Sequence, residues 1–247
     1  MDPYSVDSIL GRLETAFLPF ACMLCGARGE NSRDLCRDCA NDLTRNRSAC
    51  ARCALPLPIP SPMCGECLRT APPFDAAFAP FEYAHPLDLL LTRLKFGRSL
   101  AAGRLIGNLW LAGIRAALED GRIDALADAL VPVPLHFARL RERGYNQALE
   151  LARPLATALR LRLEPDLLVR QRATSAQTGL DAAARRRSLR GAFAIAAPAQ
   201  HKVPAHVVLL DDVMTTGATV RECARVLKRA GVARVDVWAV ARAPRLR

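Results

Sequence analysis

Eight of the nine cysteines fall in four C-x-x-C pairs: Cys22 and Cys25, Cys36 and Cys39, Cys50 and Cys53, Cys64 and Cys67. Each pair starts fourteen residues after the one before. A two-residue gap lets a tight turn aim both sulfurs at one tetrahedral ion, so four knuckles supply eight thiolates, enough for two Cys₄ zinc sites. Disulfides and an iron–sulfur cluster are the rival chemistries. Disulfides need an oxidising compartment, whereas the N-terminus carries Asp2 and Asp7 and spaces Val6, Ile9, Leu10, Leu13 and Phe17 as a helix would, unlike a signal peptide. Iron–sulfur spacings are usually less regular. Spacing and an expected cytoplasmic location favour zinc. With no cysteine left over for an open coordination position, both sites are expected to be structural.

A second chemical stretch is Val207-Val208-Leu209-Leu210-Asp211-Asp212-Val213-Met214-Thr215-Thr216-Gly217-Ala218-Thr219-Val220. An apolar run enters two acids, then a loop of small hydroxyl residues and glycine. Val220, Ala224 and Leu227 follow at helical spacing, and Val235 to Ala241 is a further apolar run. This order predicts a βαβ unit with its loop at the carboxyl end of the first strand, the end where open α/β sheets bind ligands. Thr215 to Thr219 offer backbone N–H groups, hydroxyls and a helix start, a set that suits a phosphate. The two acids suit vicinal ribose hydroxyls or a hydrated Mg²⁺. A plain capped helix at a buried strand end is the alternative.

The elements that must hold these groups are partly legible. At 247 residues, the chain has room for one medium α/β domain and a small companion. We expect an N-terminal helix over residues 1–19, the Cys-rich module over 20–70 and the larger domain over 74–247. Pro56, Pro58, Pro60 and Pro62 give a stiff extended connection, and Pro72-Pro73 closes the module. Phe74 to Tyr83 is expected to enter the larger domain as a strand. Leu87 to Leu94 reads as a helix ended by Lys95-Phe96-Gly97, and Arg104 to Leu118 as another. Val131-Pro132-Val133-Pro134 reads as a strand end. Asn146 should cap a helix starting at Gln147, which Pro154 should end or kink. His85, His201 and His206 read as capping or surface residues, and Cys223 as a buried small apolar residue. Nowhere do eighteen apolar residues stand together, so no membrane span is expected.

The formal charge is +11, unevenly spread. Residues 1–80 hold eight Arg and nine acids, while residues 81–247 hold twenty-seven Lys or Arg against fifteen acids. All but three of these cations, Lys95, Lys202 and Lys228, are arginine, the side chain shaped for bidentate phosphate contact. Arg139, Arg141 and Arg143 follow the Val-Pro-Val-Pro strand and should face the same sheet end as the loop. Residues 170–190 hold Arg170, Arg172, Arg185, Arg186, Arg187 and Arg190 against Asp181 alone. Such a stretch inside a compact domain is more often a lid or binding loop than a plain connector.

The Asp-Asp-Val-Met-Thr-Thr-Gly-Ala-Thr stretch resembles the phosphoribosyl pyrophosphate loop of the type I phosphoribosyltransferases. The resemblance narrows to the ComF family of competence-associated proteins. It is carried by the knuckles, by Val-Pro-Val-Pro ahead of Arg-x-Arg-Gly-Tyr-Asn-Gln-Ala, and by Arg170, Arg172, Thr174, Gln177, Thr178, Leu180, Arg185 and Gly191-Ala192-Phe193. It implies a type I phosphoribosyltransferase-like domain with a mainly parallel sheet behind a double zinc ribbon. It implies that Asp211 and Asp212 contact the ribose hydroxyls and that Val213, Met214, Thr215, Thr216, Gly217, Ala218 and Thr219 form the rest of the donor site, with Mg²⁺ accompanying the donor. Arg139, Arg141, Arg143, Arg170, Arg172 and Arg185 are then expected at pyrophosphate, another anion or a DNA backbone, the 170–190 segment acting as a hood.

Two functions follow as expectations. One is binding of phosphoribosyl pyrophosphate, single-stranded DNA or both, in the service of DNA uptake and alongside uptake-machinery proteins. The other is an active phosphoribosyltransferase on a nitrogen acceptor. For stacking bases, Tyr145 and Phe137 are the aromatic residues nearest the basic loop. Ala241 to Arg247 offers no purine clamp.

Overall fold

The long apolar runs become neighbouring strands of one sheet in the computed structural model, which describes residues 20–97, 99–172, 187–196 and 203–245. Strands β1 (Ala76–Phe78), β2 (Phe81–Glu82), β3 (Ala129–Pro132), β4 (Arg162–Leu163), β7 (His206–Met214) and β8 (Arg234–Arg242) form it. Their order is β1-β8-β7-β3-β4, with β2 also on β8, and every pairing is parallel. β5 (Leu168–Arg170) and β6 (Phe193–Ile195) make a separate antiparallel pair. The N-terminal helix expected over 1–19 lies outside the described residues.

The sheet is buried on both faces, as parallel sheets require. Because side chains alternate along a strand, Val208 and Leu210 of β7 pack with one set of helices, and Val207 and Leu209 with another. The first face is covered by α3 (Leu87–Lys95), α4 (Leu100–Glu119) and α6 (Gln147–Leu159), through Leu90, Leu94, Ile106, Trp110, Leu151 and Leu155. The second is covered by α7 (Ala218–Arg229), through Val220, Cys223, Ala224 and Leu227, together with Phe193 of β6. Cys223 is fully buried.

The Cys-rich region, with its short helices α1 (Arg37–Asn41) and α2 (Gly65–Arg69), does not keep a core of its own. Cys22, Leu35, Cys36 and Leu43 join the first cluster; Cys50, Cys53, Cys64 and Cys67 join the second. Its backbone also runs along the outer edge of the sheet. Asn46 N–H donates to Pro80, Glu82 N–H to Thr44 and Ala77 N–H to Ala51. Asn46, itself buried, donates its side-chain amide to the carbonyls of Ala54 and Ala79.

Several local expectations change. Phe74 to Tyr83 is not one strand: β1 and β2 flank Ala79-Pro80, and the missing amide of Pro80 interrupts the ladder. Pro154 does not end its helix, which runs on to Leu159. Burial of Leu151, Ala152, Leu155 and Ala156 offsets the lost bond, and Pro154 packs opposite Gly107 of α4. α4 begins at Leu100, where the Ser99 hydroxyl caps it by accepting from Ala102 N–H. His206 is not a surface residue; its Nε2 lies 2.9 Å from Oδ2 of buried Asp236. His85 remains exposed beside Asp88.

Candidate functional site

The cysteines assemble as two sequential groups, Cys22, Cys25, Cys36 and Cys39, then Cys50, Cys53, Cys64 and Cys67; within each, the sulfurs lie within 4.8 Å of one another. Four thiolates about 2.3 Å from a tetrahedral zinc stand about 3.8 Å apart. The Sγ atoms of Cys25 and Cys36 are 3.7 Å apart, as are those of Cys53 and Cys64. Both groups therefore fit a structural Zn²⁺ with all four positions taken by protein. Gly26 closes the first knuckle at φ +78°, a conformation that favours glycine. The two groups differ in enclosure. All four cysteines of the second are buried, whereas in the first Cys25 is exposed and Cys39 half-buried.

β7 is longer than its apolar run and carries both acids inside the strand, with Asp211 paired to Ala239 of β8. Each carboxylate turns back on the chain: Asp211 Oδ1 accepts from Asp212 N–H at 3.0 Å, and Asp212 Oδ1 from Val213 N–H at 2.7 Å. Asp212 also meets Lys95 from the end of α3, with Nζ 2.8 Å from Oδ2. Burial, reinforced by the neighbouring charge of Asp212, pushes the Asp211 carboxyl up to about 8. The pair therefore holds less negative charge than its sequence suggests, one acid being paired and the other inclined to keep its proton.

After Met214 the chain leaves the sheet. Thr215 and Thr216 are exposed, and Gly217 turns the chain at φ +72° into α7. The Thr216 hydroxyl accepts from Ala218 N–H at 3.3 Å. The N–H groups of the first turn of α7 have no acceptor within their own helix and face the same end as the acids. Below the loop, the guanidinium of Arg242, at the end of β8, donates to the carbonyls of Met214, Thr215 and Ala243 and to that of Cys53 in the second knuckle group.

β3 runs parallel to β7 and releases its chain at the same end. There α5 (Phe137–Arg143) is capped by the imidazole of His136 and stopped by Gly144 at φ +84°. Asn146 then caps α6, its Oδ1 accepting from Ala148 N–H at 3.0 Å, while its amide donates to the carbonyl of Val133. Arg141 lies over the ring of Phe137 at 5.6 Å, and Arg143 over that of Phe96 at 5.3 Å. Both rings face solvent, at 65% and 70% exposure. Tyr145 is placed otherwise: its hydroxyl donates to the carbonyl of Leu94 and its ring packs on the core, so it anchors α3 instead of offering a stacking face.

Arg170 of β5 pairs with Phe193 of β6, its guanidinium 5.4 Å from the ring. Burial lowers its pKa, and the charges of Arg139 and Asp211 also reach it. Arg172 is turned instead to the carbonyls of Ser188 and Arg190. Glu222 of α7 fixes this base of the expected hood by accepting from Gly191 N–H at 2.9 Å. Arg185 and most of the expected hood lie outside the described residues. Lys95, Phe96 and Arg242 escaped the sequence reading, although Lys95 is conspicuous as one of three lysines in an arginine-rich chain.

Comparison with known proteins gives a family match over residues 13–68 to the double zinc ribbon domain. DNA utilization protein YhgH of Salmonella typhimurium is 37% identical over 226 residues, covering 91% of this chain and 98% of the relative. The Escherichia coli K12 protein of the same name is 35% identical, covering 84% of this chain and 90% of the relative. Competence protein F of Haemophilus influenzae is 32% identical, covering 92% and 99%. Among the described residues, no helix is long and apolar enough to cross a membrane.

Proposed function

Since the chain belongs to the ComF family, with DNA utilization protein YhgH and competence protein F among its relatives, we propose that it binds single-stranded DNA and phosphoribosyl pyrophosphate at adjoining surfaces and serves competence or DNA utilization in the cytoplasm. The observation that carries this reading is the two solvent-facing rings, Phe137 and Phe96, each under an arginine, with Phe96 directly following the lysine that meets Asp212. Exposed aromatic faces stack unpaired bases without reading their sequence, and the arginines supply phosphate contact. Relatives named for DNA utilization and competence support the same assignment.

The donor half rests on the loop. Thr215, Thr216, Gly217, Ala218 and Thr219 would take the 5′-phosphate at the start of α7, with Val213 and Met214 as the strand beneath. Asp211 and Asp212 would accept from the ribose hydroxyls, and Lys95, Arg139 and Arg170 would face the pyrophosphate. With Lys95 already on Asp212, the acids suit hydroxyl contacts better than direct coordination of a metal, so Mg²⁺ would be held by the donor's own phosphates. Phosphoribosyl transfer to a nitrogen acceptor is the second reading, favoured by the placement of acids and loop together at the carboxyl end of the sheet.

Calorimetric titration of the zinc-loaded protein with phosphoribosyl pyrophosphate and Mg²⁺, and in parallel with an unstructured oligonucleotide, tests both halves. Binding of each ligand without competition is expected. Absence of oligonucleotide binding at low salt would remove the DNA assignment, and absence of donor binding would remove the loop assignment.

A further inference from the structure

Arg242 is buried to 7% exposure, and the carbonyl oxygens of four residues accept from its guanidinium. Nε donates to Cys53 O at 3.1 Å; Nη1 donates to Met214 O at 2.8 Å, to Thr215 O, and to Ala243 O at 2.9 Å. One planar guanidinium therefore holds a metal-knuckle backbone on one side and the start of the threonine loop on the other. Its fixed fork makes this a geometric constraint as well as a charge. It draws the carbonyls of Met214 and Thr215 to one nitrogen at the start of the loop.

A buried guanidinium needs negative charge nearby. A zinc ion with four thiolates carries two net negative charges, while four neutral thiols carry none. Occupancy of the second group thus stabilises Arg242 where it sits, and the empty group leaves it a buried cation held by dipoles. Cys53 is itself a member of that group, so the carbonyl that accepts from Nε is fixed by the same ion.

From these contacts we infer that Arg242 is a positioning residue through which the second four-cysteine group, and not the first, sets the shape of the Thr215–Thr219 loop. The first group communicates elsewhere, the carbonyl of Met23 accepting from Arg93 on α3. The inference rests on the anion-loop reading only for its ligand arm; the coupling itself concerns backbone geometry.

The test is hydrogen–deuterium exchange of the loop, with zinc counted by native mass spectrometry and inorganic pyrophosphate as the binding probe. Arg242→Lys keeps the charge and removes the fork. It is expected to retain two zinc ions, to speed exchange over residues 215–219 by about tenfold and to weaken pyrophosphate by about tenfold, the scale of losing a hydrogen bond to a charged group. Cys64→Ser should produce the same loop exchange with one zinc fewer, whereas Cys25→Ser should leave loop exchange as in the parent. Unchanged loop exchange in Arg242→Lys, or equal acceleration in Cys25→Ser, would overturn the inference. If Cys64→Ser does not fold, Arg242→Lys against Cys25→Ser still decides. A parent protein that ignores pyrophosphate while its loop responds to Arg242→Lys would sink the anion-loop reading and leave the coupling standing.

Discussion

Lys95 Nζ lies 2.8 Å from Asp212 Oδ2, joining the end of α3 to the acid pair of β7. Both side chains are largely enclosed, at 23% and 13% exposure, so neither charge is well solvated alone. The contact places a fixed cation where the donor's pyrophosphate is proposed to sit.

Lys95→Met should leave the Asp212 carboxylate buried and unpaired, costing about 2–3 kcal/mol, somewhat less than a fully buried pair would lose. Urea denaturation measures this. Adding Asp212→Asn should recover part of the loss, since the double mutant no longer strands a charge. Equal and additive losses would mean that the two residues do not interact.

The exposed rings can be tested separately from folding. Phe96→Ala and Phe137→Ala should each weaken binding of an oligothymidine by about 1–3 kcal/mol in fluorescence anisotropy. Thermal stability should hardly move, since neither ring is in the core. Arg141→Ala and Arg143→Ala should instead flatten the dependence of affinity on salt, by about one counterion each.

The acid pair should matter to one ligand only. Asp211→Asn with Asp212→Asn is expected to abolish binding of phosphoribosyl pyrophosphate in calorimetry while oligonucleotide affinity persists. Loss of both, in a folded protein, would contradict adjoining separate surfaces.

Asp211 also predicts a pH effect. Its carboxyl is raised to about 8 from an ordinary value of 3.8. Between these values the folded chain keeps a proton that the unfolded chain has lost, so its contribution to stability falls as pH rises and is exhausted above about 8. The melting temperature should therefore decline from pH 6 to pH 8.5. Asp211→Asn, which cannot ionise, should show a shallower decline over that window.

Zinc should leave in two phases. With Cys25 exposed and Cys39 half-buried, the first group should release its ion to a chromogenic chelator well before the second, whose cysteines are all buried. Cys25→Ser should remove the fast phase alone.

Much of this arrangement could be read from residue order. The knuckle spacing gave two tetrathiolate groups, and the runs at Val207 and Val235 gave adjacent parallel strands because an apolar stretch buried on both faces has few other homes. Asn146 was legible as a cap because its side chain acts within two residues. What escaped was long-range. Nothing local to Lys95 or Arg242 shows that they meet Asp212 and Cys53, 117 and 189 positions away in the chain. Phe96 read as a helix end, and only the fold lays Arg143 over it. Pro154 does not end its helix because helix propensity is a weak prior beside the burial of four neighbours against α4.

The backbone of residues 44–51 lies along the outer rim of the sheet, bonded to β1 through Ala51, to β2 through Thr44 and to Pro80 between them through Asn46. A strand row left open at a rim recruits the rim of another molecule. Metal starvation would strip away this cover and leave the rim of newly made chains open to one another, so that clumping would accompany the loss of ligand binding.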